Sequence, residues 1–134
     1  MDPFWQDAIE RGDVDATREL IERGANVDAL DRHGQSALML AARAGTADLV
    51  EALIEGRADL NVTAKYGLSA LMLAVVNGRT EVAHLLARAG CDLSLRGNGA
   101  PGFAGKTAAD LAAAQGLHEL AAELESLASI RPPR

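Results

Sequence analysis

The amino-acid sequence predicts an all-α solenoid: four stacked helix-turn-helix units joined by short β-turn or hairpin connections. Three observations lead there. Gly34-Gln35-Ser36-Ala37-Leu38-Met39-Leu40-Ala41 returns as Gly67-Leu68-Ser69-Ala70-Leu71-Met72-Leu73-Ala74, with Gly34 and Gly67 33 residues apart. A fixed period of this length marks units that bury their apolar faces only by stacking on one another. Second, the chain is 49% hydrophobic but only 3% aromatic, so alanine and leucine must build the core, as thin helical layers allow. Third, each period holds two apolar helical stripes parted by a glycine, at Gly45 and again at Gly78.

The elements follow in order. Unit one, about 2–30, opens with Asp2 as N-cap and Pro3 at the first helical position, where a missing N–H costs nothing. Gly12 ends its first helix, and Phe4 and Trp5 are expected to cover the open end of the stack. Unit two, 31–63, is capped by Ser36, runs through Leu38, Ala41 and Ala42 to Gly45, and continues in a helix over Ala47 to Glu55. Unit three, 64–96, copies it with Ser69 to Asn77, Gly78 and Thr80 to Arg88. Unit four, 97–130, starts late, because five inserted residues precede Gly105; Thr107 and Gly116 then restore the register. Its last helix has Glu123 where unit three has Leu85, the polarity expected of a face with no following unit. One domain is thus expected over residues 1–130, with Arg131-Pro132-Pro133-Arg134 a frayed tail.

Composition narrows the function. A net charge of −6 and a pI near 5.0 argue against nucleic acid or an anionic membrane as the main partner. The single cysteine, Cys91, cannot form an internal disulfide and fits a reducing compartment. The opening residues have no basic flank or apolar run, and no stretch is long enough to span a bilayer, so a cytoplasmic protein is expected. His33, His84 and His118 share no metal-ligand spacing, and no cofactor is expected. Cys91 occupies the register position of Ala25 and Ala58, a packing position with no base beside it. No isolated carboxylate pair suggests acid–base chemistry, so the chain does not read as an enzyme.

One segment competes with that reading. Ala100-Pro101-Gly102-Phe103-Ala104-Gly105-Lys106-Thr107 matches a relaxed phosphate-loop pattern, with Ala100 where the strict form has glycine. A nucleotide-binding protein is therefore the alternative. Against it, Gly105-Lys106-Thr107 falls in register with Gly34-Gln35-Ser36 and Gly67-Leu68-Ser69, and neither the preceding strand nor a metal-holding acid is evident.

The 33-residue period, the hydroxyl-Ala-Leu-x-Leu-Ala opening, the glycine between helices and the Gly-Ala-Asn-Val-Asp ending resemble the ankyrin repeat, from about Phe4 to Leu127. The sequence departs from that family at Met39 and Met72, which replace a histidine that ties neighbouring turns; gap-filling is expected of them instead. Arg57 takes the place of the glycine found at Gly24 and Gly90; if it must adopt a left-handed conformation, the local cost is roughly 1 kcal/mol. The resemblance implies a protein-binding module, acting as a general scaffold or as a dedicated inhibitor or chaperone of one enzyme. It implies that partners dock on turn residues Arg32, His33 and Gln35, then Lys65, Tyr66 and Leu68. On the first helices they dock on Arg43 and Ala44, then Val76 and Asn77. Tyr66 has no evident use in a Leu/Ala core; its ring either anchors a partner or lies across an adjacent turn. Phe103, in the insertion, is a further anchor candidate unless its loop folds back to shield the final inner helix. Arg32, Arg43 and Lys65 in an acidic chain point to an acidic patch on the partner, and a monomer is expected.

Overall fold

The computed structural model describes residues 1–99 and 101–130. Eight α-helices run through them: α1 (Pro3–Arg11), α2 (Val14–Glu22), α3 (Ala37–Ala44), α4 (Ala47–Glu55), α5 (Ala70–Val76), α6 (Thr80–Arg88), α7 (Ala108–Ala114) and α8 (His118–Ile130). A single 3₁₀ turn, Lys65–Gly67, precedes α5. Consecutive helices pair, and the pairs stack: α1, α3, α5 and α7 form an inner layer, α2, α4, α6 and α8 an outer one. The core is a continuous seam of Leu, Val and Ala between the layers, with Met39 and Met72 buried in it.

The caps explain the helix starts. Asp2 Oδ1 accepts from Phe4 N–H at 2.8 Å, Ser36 Oγ from Met39 N–H at 3.3 Å, and Ser69 Oγ from Met72 N–H at 3.3 Å. Between layers the chain reverses at Gly45, whose φ of 77° would strain any side chain. The residue that follows the equivalent glycine of the next unit, Gly78, locks the stack. Arg79, one unit after Thr46, lies over Gly45 and donates from Nε to Arg43 O at 3.0 Å.

A second set of bonds joins the unit ends. Asp28 Oδ1 accepts from Asp59 N–H, and 33 residues on Asn61 Oδ1 accepts from Asp92 N–H, each at 2.7 Å. Asn61→Ala removes this acceptor and is expected to lower stability by about 1 kcal/mol, read as a lower urea midpoint. Asn61→Asp, which restores the residue at position 28, is expected to keep most of it; equal losses in the two variants would refute the ladder's role.

The described residues correct two expectations and leave a third outside them. Trp5 is buried, but Phe4 is 77% exposed, so of the two aromatics only the tryptophan covers the first helix pair. Glu123 does not face an open end: it turns back onto α6, where its carboxylate meets His84 Nδ1 and, at 3.4 Å, Arg88 Nε. Its carboxylate is held there between an imidazole and a guanidinium. Residues 131–134, read as a frayed tail, and Ala100 of the insertion lie outside the described residues. Arg57 is left-handed, with φ 65°, so the condition for that local cost is met.

Candidate functional site

The turns that precede the inner helices close in the same way. Asp31 N–H donates to Gln35 O at 2.8 Å, Ala64 N–H to Leu68 O at 2.9 Å, and Gly97 N–H to Lys106 O at 2.9 Å. The insertion therefore lies inside the fourth turn and leaves its base intact. In turn two, Asp31 Oδ1 accepts from the amides of His33 and Gln35, at 2.8 and 2.9 Å, so its charge is engaged within the turn. Turn three has Ala64 there and no such brace; instead Tyr66 itself adopts φ 65°, ψ 18°. For a tyrosine this left-handed conformation costs roughly 1 kcal/mol and persists only where neighbours hold it.

The neighbour is the insertion. Asn98 N–H donates to Tyr66 O at 2.7 Å, and the rings of Tyr66 and Phe103 lie 5.8 Å apart at 37°. Lys65 Nζ is 5.0 Å from the centre of the Tyr66 ring, within cation–π range. Arg96 Nη1 donates to Gly105 O at 2.6 Å, Gly105 N–H to Gly97 O at 2.9 Å, and Lys106 N–H to Phe103 O at 3.0 Å, folding the insertion into a strap.

Elsewhere on the same side, Gln35 Oε1 accepts from Arg43 Nη1 at 2.9 Å and Arg32 Nε lies 3.3 Å from His33 Nε2. Asn77 Nδ2 donates to Leu73 O at 2.8 Å. Leu40, Arg43, Ala44 and Asn77 line an open hollow of about 310 Å³ on the inner helices, beside half-buried Val76.

Of the residues singled out in the sequence, Gln35 and Arg43 meet at the hollow, Lys65, Tyr66 and Phe103 meet at the strap, and Arg32 and His33 pair on the second turn. Leu68 belongs to none of these groups. It is only 6% exposed and packs in the core, so it cannot be a docking tip. Its register partner Gln35 stays half-buried because its amide has Arg43 to bond. Tyr66 lies across a neighbouring turn while keeping 37% of its surface exposed. Sequence reading missed Asn98 as the bonding partner of Tyr66, and Arg96 and Lys106 as residues that tie the strap together. The five-residue break in the period was the signal that something at the fourth turn differs.

The phosphate-loop segment carries different chemistry here. Thr107 Oγ1 accepts from Asp110 N–H at 3.2 Å, and the Asp110 carboxylate accepts from Thr107 N–H at 3.0 Å. This reciprocal cap occupies the hydroxyl and the amide that a phosphate would need. The Thr107 amide bond, aided by Lys106 and Arg96, holds the Asp110 carboxyl below its ordinary value. Cys91 is buried at its packing position. Among the described residues no group of three or more His, Cys, Asp or Glu is placed to hold a metal. No helix there is long and apolar enough to cross a membrane.

Stacked helix pairs with braced turns and an inner face open to solvent define an all-α repeat solenoid. The chain belongs to the ankyrin-repeat family: the family profile described as "Ankyrin repeats (3 copies)" matches residues 5–97, well over half of the 134 residues. No curated protein matches the chain. Ankyrin repeats are generally non-catalytic protein–protein interaction modules.

Proposed function

We propose that this chain, one domain of four units over residues 1–130, is a monomeric cytoplasmic module that binds a protein through its inner helices and turn tips. The carrying observation is the open inner-face hollow lined by Leu40, Arg43, Ala44 and Asn77, two apolar and two hydrogen-bonding side chains. Arg43, Arg32 and Lys65 flank that face in a chain of net charge −6, so the patch they meet on the partner is acidic. The mechanism is rigid display: helices already packed and turns already braced lose little conformational freedom on binding.

Affinity capture from the host, with wild-type and Ala44→Arg baits compared by mass spectrometry, tests the reading. Ala44 is exposed, so the arginine fills the hollow without disturbing the core. The wild-type partner is expected to vanish from the variant's capture, and an identical capture profile rejects the inner face. With the captured partner, Tyr66→Ala is expected to weaken binding by about 2 kcal/mol in titration calorimetry.

A further inference from the structure

The display of turn tips does not by itself require a five-residue insertion, a left-handed tyrosine or a close approach of two turns. All three occur together. A Cβ at Gly67 would lie 2.7 Å from Asn98 Nδ2, and one at Gly99 would lie 3.2 Å from the Tyr66 ring. The third and fourth turns therefore approach at backbone distance, beside glycines that are themselves left-handed, Gly67 at φ 70° and Gly99 at φ 75°. His33, the register equivalent of Tyr66, has neither the left-handed backbone nor a strap.

Lys65 is the cation placed at the Tyr66 ring, while Arg96 and Lys106 lie on the fourth turn, where they also act on the Asp110 carboxylate. Lys65, Arg96 and Lys106 are exposed, and turns 64–69 and 97–107 contain no carboxylate in the sequence. Asp110, just beyond, is engaged by the Thr107 amide. Strained backbone that is over-determined by its surroundings and carries an exposed aromatic is the pattern of a specificity element.

We propose that the insertion fuses the third and fourth turns into one composite anchor for an acidic linear peptide segment. Carboxylates of the segment meet Lys65, Arg96 and Lys106, and one apolar side chain meets the Tyr66–Phe103 pair. Phe103 and Asn98 act as positioning residues that hold Tyr66. A linear segment fits better than a folded surface, because two turn tips offer a narrow strip, far short of the ~800 Å² per partner of a standard protein interface. The proposal rests on the chain being a protein-binding module.

Selection of a phage-displayed random dodecapeptide library on the wild-type chain tests it. Enriched peptides are expected to be rich in Asp and Glu around one aromatic, aliphatic or proline residue, and to weaken with salt. Tyr66→Ala and Phe103→Ala are each expected to lose about tenfold in affinity, with the double variant losing little more than the worse single one. Phe103→Tyr is expected to bind as wild type, and melting curves check that each variant stays folded. Neutral or basic consensus peptides, or multiplying losses from Tyr66 and Phe103, would overturn the composite anchor. Peptides blocked by Ala44→Arg but indifferent to Tyr66→Ala would overturn it while leaving the module reading intact. Failure to enrich any peptide would overturn it too; that outcome leaves the module reading to the capture experiment, where it fails separately if wild-type and Ala44→Arg baits capture alike.

Discussion

Leu53→Ala is expected to destabilise the chain by about 3 kcal/mol, the largest effect of any single truncation considered. Leu53 is fully buried in α4, which packs against both α2 and α6. Its register partners form a leucine column along the outer layer: Leu20, Leu53, Leu86 and Leu124. In a stacked architecture each unit owes its stability to its neighbours, so a cavity in an interior unit weakens two interfaces at once. Leu20, at the end of the column, is only half-buried. Leu20→Ala should therefore cost clearly less, about half as much by the area it hides. Urea unfolding of the two variants checks the comparison. Equal losses would mean that the cost along this column does not follow burial.

Much of the fold was legible because the devices that build it are local. A serine at the N-cap and a glycine at the layer reversal act within one turn of helix, and repetition every 33 residues supplied independent copies of each. The expected bounds of α4 and α6 coincide with Ala47–Glu55 and Thr80–Arg88. The misreadings concern contacts made between units. Register placed Leu68 at a tip, but an apolar side chain next to a core follows burial, while the amide of Gln35 at the same position finds Arg43. Register likewise identified Glu123 as a polar substitution without showing that His84 and Arg88, a unit earlier, face it. At the candidate site, the break in the period located the insertion, but its return onto Tyr66 depends on long-range backbone bonds with no sequence signature.

Gly97 gives that last point a test that does not involve a partner. Its register equivalents, Asp31 and Ala64, both carry side chains, so the turn itself does not demand glycine. The insertion does. A Cβ at Gly97 would lie 2.4 Å from Phe103 O and 2.9 Å from Phe103 Cβ, contacts with backbone and with a ring-bearing residue that cannot swing aside. Gly97→Ala is expected to cost about 2 kcal/mol, the scale of overpacking at a tight site. The cost should be local, because the bonds between Gly97 N–H and Lys106 O and between Gly105 N–H and Gly97 O are those that close the strap. Hydrogen exchange should show the amides of Asn98 and Gly105 losing protection while α3 to α6 keep theirs, and the Tyr66 ring should move to a more solvent-exposed environment. Gly102→Ala is the control, since a Cβ there meets nothing within 4 Å, and it should change stability by less than about 0.5 kcal/mol. If Gly97→Ala left the Gly105 amide protected and the Tyr66 ring unmoved, the strap would not be what holds the tyrosine. The left-handed turn would then be stabilised within Lys65–Gly67 alone.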